Sequence, residues 1–334
     1  MLQLPIFRLL AVGCLLSSVC LGQAANAPSP SDATQTASAN PNASPFPPVD
    51  PANFTASTPT KDTVDAFLKA QIGYDSLRMW QVNSIRKTIA PGFSEVTVLV
   101  AAKGSTEQPR GFRLLITPDQ KFAIQDSDPV PFGANPFADA RALLEKKADG
   151  PSRGAKSNDL VIVEFSDLEC PHCKAEEPVM DKLLRDYPTA RIVYQNFPLT
   201  RIHPWAHKAA AYGDCVAQQS NDLFFKFVSN VFASQEQTTE SNVDDMLNAA
   251  ATKAGADAAK AAACAVTPAT LAKVDASVDL ATELGVTSTP TLYINGRPIS
   301  MGPNVTYELL QQIIAYQAEM DGVKLPPTMT SLPK

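Results

Sequence analysis

Val161-Ile162-Val163-Glu164-Phe165, followed after four residues by Cys170-Pro171-His172-Cys173, decides how this chain is read. The first stretch is a short, almost wholly apolar run of the kind that forms a buried strand, and an amphipathic pattern follows the second cysteine. A cysteine placed between such a strand and such a helix sits at the helix start. Unpaired backbone N–H groups and the positive end of the helix dipole stabilise its thiolate there, lowering a thiol pKa from about 8.5 to about 3.5–7. Pro171 suits the first helical position, where its missing N–H costs nothing. The pattern therefore points to a redox dithiol.

Two other readings of the same spacing stay open at this point. Cys170 and Cys173 with His203 and His207 have the residue types of a zinc site. The gap of about 30 residues is far longer than the ~12 of a zinc finger. A plain structural bridge between Cys170 and Cys173 would close so short a loop that it gains little entropy.

Further along, Thr289-Pro290 precedes the strand pattern Thr291-Leu292-Tyr293-Ile294 and the turn pair Asn295-Gly296. Glu164 lies six positions before Cys170, and Pro178 eight positions after it. With these features the chain resembles the thioredoxin superfamily and, within it, the DsbA-like thiol–disulfide oxidoreductases, whose active-site dipeptide is typically Pro-His. The resemblance covers residues about 158–320, with a helical insertion near 204–285, and leaves the first half of the chain uncovered. It implies a buried acid at Glu164, a kink at Pro178, and a cis-proline loop at Thr289-Pro290. The expected fold is α/β: a thioredoxin-like domain with an inserted helical subdomain, preceded by a small α+β domain.

The chain has 334 residues, room for two domains and unstructured ends. Arg8 is the only side-chain charge before Asp32, and an apolar run covers Leu9 to Leu21. Residues 1–24 read as an export signal with Gly22-Gln23-Ala24 at the cleavage site. The alternatives are a retained membrane anchor, for which the run is shorter than the ~20 residues of a span, and a lipid anchor at Cys14. Cleavage after Ala24 removes Cys14 and Cys20 and leaves Cys170, Cys173, Cys215 and Cys264. An oxidising compartment favours a structural disulfide between Cys215 and Cys264, and many DsbA-like proteins carry a similarly placed pair. Closing that loop of about 50 residues would contribute up to about 4 kcal/mol. Two buried free thiols are the alternative.

Net charge is −6, with no basic cluster interleaved with aromatics, which argues against a nucleic-acid partner. Residues 25–60 carry eight prolines and little apolar periodicity, the composition of a tether. From Asp62 to Met79 the spacing of Val64, Phe67, Leu68, Ile72 and Leu77 predicts a helix. Strand patterns follow at 82–85, 96–100, 112–116 and 122–124, and a helix at 138–147. Residues 61–147 thus form a small α+β unit for docking or dimerisation, without cysteine, histidine or a Gly-rich loop. Residues 148–159, with Gly150-Pro151-Ser152-Arg153-Gly154, read as a polar linker. The second domain spans 160–322, with insertion helices at 206–217, 222–233, 242–254 and 271–284, and 323–334 is a tail.

Within this frame Cys170 is expected to be the solvent-facing sulfur that exchanges with substrate, and Cys173 the resolving one. Glu164 is the proton acceptor for Cys173, unless it is an ordinary exposed strand residue. His172 places a donor or positive charge near the Cys170 thiolate. Thr289 and Pro290 offer backbone for pairing with an extended substrate. His203 and His207 read as surface or helix-packing residues. The resemblance implies disulfide formation in secreted proteins, with reduced or misoxidised secreted proteins as substrates, reoxidation by a membrane quinone-linked partner, and no bound cofactor. The rival readings are an isomerase or reductase, suggested by Thr289 and by a first domain that could form a homodimer, and a noncatalytic substrate-binding, chaperone-like module.

Overall fold

The computed structural model of the protein describes residues 44–105, 107–125 and 128–325. The expected export signal with Cys14 and Cys20, residues 25–43 of the tether and 326–334 of the tail lie outside the described residues.

Helix α1 (Lys61–Ile72) buries Val64, Phe67 and Leu68 on one face, and the Thr60 hydroxyl caps its start by accepting from Thr63 N–H at 3.2 Å. It ends seven residues before Met79, because Gly73 caps it and the chain then turns through Asp75, whose side chain accepts from Leu77 N–H. Leu77, expected on the helix face, is 62% exposed. Strands β1 (Arg78–Lys87), β2 (Ser94–Ala102), β3 (Arg110–Ile116), β4 (Phe122–Gln125) and β5 (Asp128–Pro131) form an antiparallel meander in that order. β5 is absent from the sequence reading because Pro129 and Pro131 argue against a strand; at a sheet edge their missing donors are tolerated.

Helix α2 (Ala138–Lys147) has the expected bounds, but it packs on the second sheet and not on the first. Its buried Leu144 joins Val163, Phe165 and Val193. The expected linker is structured as well. β6 (Ser152–Gly154) pairs antiparallel with the edge of β8 (Ala190–Asn196), Ser152 facing Val193.

The second sheet has the order β10-β9-β7-β8-β6. β7 (Leu160–Ser166) runs parallel to β8, and α3 (Pro171–Asp186) is the crossover between them. An insertion of five helices follows: α4 (Ala206–Ala217), α5 (Asn221–Ser234), α6 (Val243–Ala254), α7 (Ala258–Ala265) and α8 (Pro268–Glu283). α7 escaped the sequence reading because it is mostly alanine and carries no stripe of large apolar residues. The chain closes with β9 (Thr291–Ile294), β10 (Arg297–Ser300) and α9 (Tyr307–Met320). Asn295 and Gly296 both have positive φ in the tight hairpin turn.

Alternation on β7 splits the core into two faces. Leu160 and Ile162 pack against Met180 and Leu183 of α3, while Val163 and Phe165 pack against Leu144 of α2 and Leu280 of α8. The end of α1 docks on this second unit. Arg297, 5% exposed, donates to the carbonyls of Ala70 and Gln71, and Tyr316 Oη donates to Lys69 O at 2.5 Å.

Candidate active site

Cys170 is the N-cap residue of α3, in extended conformation, with Pro171 in the first turn. Its carbonyl accepts Lys174 N–H at 3.2 Å and the side-chain amide of Gln235 at 3.1 Å. The same amide donates to Leu168 O at 2.9 Å, so the short turn after α5 holds the loop that presents the dithiol. Cys170 is only 3% exposed and Cys173 is fully buried. Cys170 is thus the outer sulfur of the two, but it is covered where a solvent-facing position was expected.

Cys170 and Cys173 are both free thiols held in opposite states. The Cys173 thiol donates toward Cys170 and, with the Thr289 side chain and the backbone N–H groups of Cys173 and His172, lowers the Cys170 pKa to about 5 against the cost of burial. Burial raises the Cys173 pKa well above 9, and the neighbouring Cys170 adds to that rise. Its sulfur accepts the Asp167 N–H at 3.4 Å. One sulfur is a thiolate at neutral pH and the other keeps its proton. His172 contributes through its main chain, while its imidazole is exposed.

Thr289-Pro290 is cis, and the Thr289 carbonyl oxygen lies 3.5 Å from Cys170 Sγ. The loop before β9 and the start of α3 therefore meet at the outer sulfur.

Glu164 is 5% exposed on the β7 face that looks at α3. Burial raises its pKa to about 7, opposed by Arg153. Pro178 lies inside α3.

The two histidines are not brought to the cysteines as a ligand set. His203 Nδ1 lies 2.7 Å from Asp167 Oδ2, and His207 Nε2 lies 3.2 Å from Asp275 Oδ1. Among the described residues no three His, Cys, Asp or Glu side chains converge as a metal site.

Several residues that shape the site were missed in the sequence. Asp167 is buried, and its carboxylate accepts the N–H groups of Glu169 and Leu199, each at 2.8 Å. Glu169 accepts Trp205 N–H at 2.7 Å. Acids at 167 and 169, just before a dithiol, were the available signal. Nothing in the sequence marks Gln235.

Cys215 of α4 and Cys264 of α7 are bonded to each other, with Cα atoms 5.9 Å apart. The Thr270 hydroxyl lies 3.5 Å from the first sulfur and 3.4 Å from the second.

The family model described as Thioredoxin matches residues 146–315. The chain is similar to the Na(+)/H(+) antiporter NhaA 3 of Salinispora tropica, 30% identical over 156 residues, which are 43% of this chain and 21% of that one. It is similar to the probable disulfide bond formation protein D of Bacillus anthracis, 28% identical over 100 residues, 29% of this chain and 45% of that one. The chain thus spans about a fifth of the antiporter's length and under half of the second relative's. Among solved structures, oxidised BdbD of Bacillus subtilis superposes with a TM-score of 0.46 at 20% identity, over 51% of this chain and 93% of that one.

Proposed function

The chain belongs to the thioredoxin family, and from that premise we propose that it is an exported thiol–disulfide oxidoreductase that introduces disulfides into secreted proteins. The observation that carries this reading is the paired state of the dithiol: a Cys170 thiolate at the start of α3, beside the Thr289 carbonyl, over a Cys173 thiol that keeps its proton. A low-pKa thiol is a good leaving group, so a mixed disulfide between substrate and Cys170 is readily resolved by a second substrate thiolate.

In the oxidising direction a substrate thiolate attacks Cys170 Sγ, the Cys170–Cys173 bond breaks, and Cys173 leaves with the electron pair and takes a proton. A second substrate thiolate then attacks the mixed disulfide. Its disulfide closes, Cys170 leaves as a thiolate, and the enzyme holds the two electrons. Thr289 supplies the backbone against which an extended substrate segment can pair. The substrates are reduced or misoxidised secreted proteins, and a membrane quinone-linked reoxidase takes the electrons onward. Export rests on the apolar run behind Arg8. The first unit is proposed to serve docking or homodimerisation, since none of the electron-exchanging residues lies in it.

Equilibration with glutathione buffers, together with oxidation of a reduced peptide, tests the proposal. A potential near that of the strongest oxidases and complete loss of activity in Cys170→Ser are expected. A potential near thioredoxin's, about 150 mV lower, would assign the dithiol to reduction instead.

A further inference from the structure

Six buried side-chain nitrogen or oxygen atoms among the described residues have no hydrogen-bond partner, and four of them belong to residues that interact with Glu164: Arg153 Nε, Ser166 Oγ, Glu176 Oε1 and Tyr194 Oη. A buried polar atom left unpaired carries an uncompensated desolvation cost, so such a concentration calls for an explanation. The topology explains the convergence. Glu164 and Ser166 are two residues apart on β7 and share its α3-facing side. Tyr194 of β8 is the register partner of Glu164. Cys173 and Glu176, three residues apart on α3, are both buried, and Met180, one turn further on, packs on the same sheet face. The Ser166 hydroxyl sits beside Glu164, Tyr194 and Cys173 without completing a bond of standard geometry to any of them.

We propose that Glu176 is a second acid of the dithiol site: it shares one proton with Glu164, and the Ser166 and Tyr194 hydroxyls pass that proton between the carboxyl pair and Cys173. When a substrate thiolate opens the disulfide at Cys170, Cys173 departs as a thiolate and receives the proton from the pair. In the reverse step the Cys173 thiol returns the proton to the pair, and its sulfur then attacks the mixed disulfide on Cys170, expelling the substrate thiolate.

The charges that face the pair are consistent with one shared proton. Arg153 reaches in from β6 and is bound to Asp181 at 2.6 Å, while Glu177 and Asp181 add negative charge from α3. Burial, and then the charge of Glu164, raises Glu176 to about 7, the same value to which burial raises Glu164. Two buried carboxyls, one of which feels the charge of the other, resist ionising together at neutral pH, and a partner at the working pH is what proton transfer needs. Glu176 acts through Glu164 and is a positioning residue in that sense.

This inference rests on the oxidoreductase reading, and the experiment separates the two. The probe is full-length protein carrying Cys170 as a mixed disulfide with thionitrobenzoate, and the release of the coloured thiol by Cys173 is followed from pH 5 to 9 by stopped flow. Wild type should release thiol with a midpoint near 7; no release at all would overturn the oxidoreductase reading itself. Glu164→Gln should slow release at least about tenfold. Glu176→Gln should move the midpoint down by about one pH unit, because the remaining acid loses a like charge, and Glu176→Asp should restore it. Normal release with an unmoved midpoint in Glu176→Gln overturns the shared proton and leaves the oxidoreductase reading standing. Should Glu176→Gln fail to fold, the infrared band of protonated carboxyl in the wild type decides: two-step titration supports the pair, and a single step overturns it.

Discussion

His203 Nδ1 sits 2.7 Å from Asp167 Oδ2, tying the loop before α4 to the residue whose N–H points at the Cys173 sulfur. Asp167 has no exposed side-chain surface and His203 is 14% exposed, so the bond is shielded from water. Removing the imidazole leaves the carboxylate with two backbone donors, Glu169 and Leu199, and one unmet acceptor position. His203→Ala is expected to lower stability by about 2 kcal/mol in denaturant unfolding at pH 7, and His203→Asn, which keeps a donor, to recover part of it. Equal stability of the alanine variant and wild type would show that the pair holds nothing.

Cys170 should titrate with a midpoint of about 5 by thiolate ultraviolet absorbance, since its pKa is lowered by the Cys173 thiol and the helix-start donors. The sign for stability follows from an unfolded value of about 8.5. A pKa depressed by folding stabilises the folded reduced chain fully above the unfolded value, and that contribution is lost as pH falls through about 5. Reduced protein should therefore gain stability over oxidised protein between pH 5 and 8. Chemical unfolding of both forms across that window checks this, and a reduced-minus-oxidised difference that is flat or falls with pH contradicts it.

Much of the dithiol site is legible in the chain because its parts are local. An apolar run, a Cys-Pro-His-Cys helix start, one acid inside the run and a Thr-Pro before a strand are each readable without knowing the fold. The rest depends on partners distant in sequence. Tyr194 becomes part of the site only through its register opposite Glu164, and Gln235 only through the path of the insertion. β6 shows the same limit at the level of the fold. Gly150 to Gly154 has turn composition, yet Ser152, Arg153 and Gly154 pair with β8, and Gly154, at φ +90°, backs onto the Ala190 carbonyl where a β-carbon would collide. α2 was legible as a helix, but its low amphipathicity does not tell which sheet it covers.

The Cys215–Cys264 bond joins α4 to α7 across a sequence separation of 49. Replacing both cysteines by serine should cost up to about 4 kcal/mol on unfolding, the loop-closure entropy returned to the unfolded chain. Dithiol exchange at Cys170 should persist in the folded variant. Alkylation mapped by mass spectrometry reads the pairing, and two freely alkylated thiols at 215 and 264 in native oxidised protein would contradict it.

α2 packs on the second sheet and β6 pairs with its edge, so we propose that the boundary between the two units lies before them, and truncation can locate it. A chain beginning at Ser157 would keep both cysteines, Glu164, Glu176 and the Thr289-Pro290 loop but lose α2, β6 and Arg153. Val163, Phe165 and Val193 would lose the cover of Leu144, β8 would become an unpaired edge, and Arg153 would no longer face Glu164. A chain beginning at Asn135 keeps all of these, together with Phe137, whose ring lies 4.3 Å beneath the Arg297 guanidinium. Its loss is confined to the docking of α1, where Arg297 exchanges the carbonyls of Ala70 and Gln71 for water. The longer chain should therefore fold and oxidise a reduced peptide, while the shorter should be less stable by at least about 3 kcal/mol, roughly the burial of one large apolar side chain with the edge pairing added. Comparing the two by denaturant unfolding and peptide oxidation places the boundary. Equal stability would mean that α2 and β6 only rest on the second sheet, and the division at residues 148–159 would then be the right one.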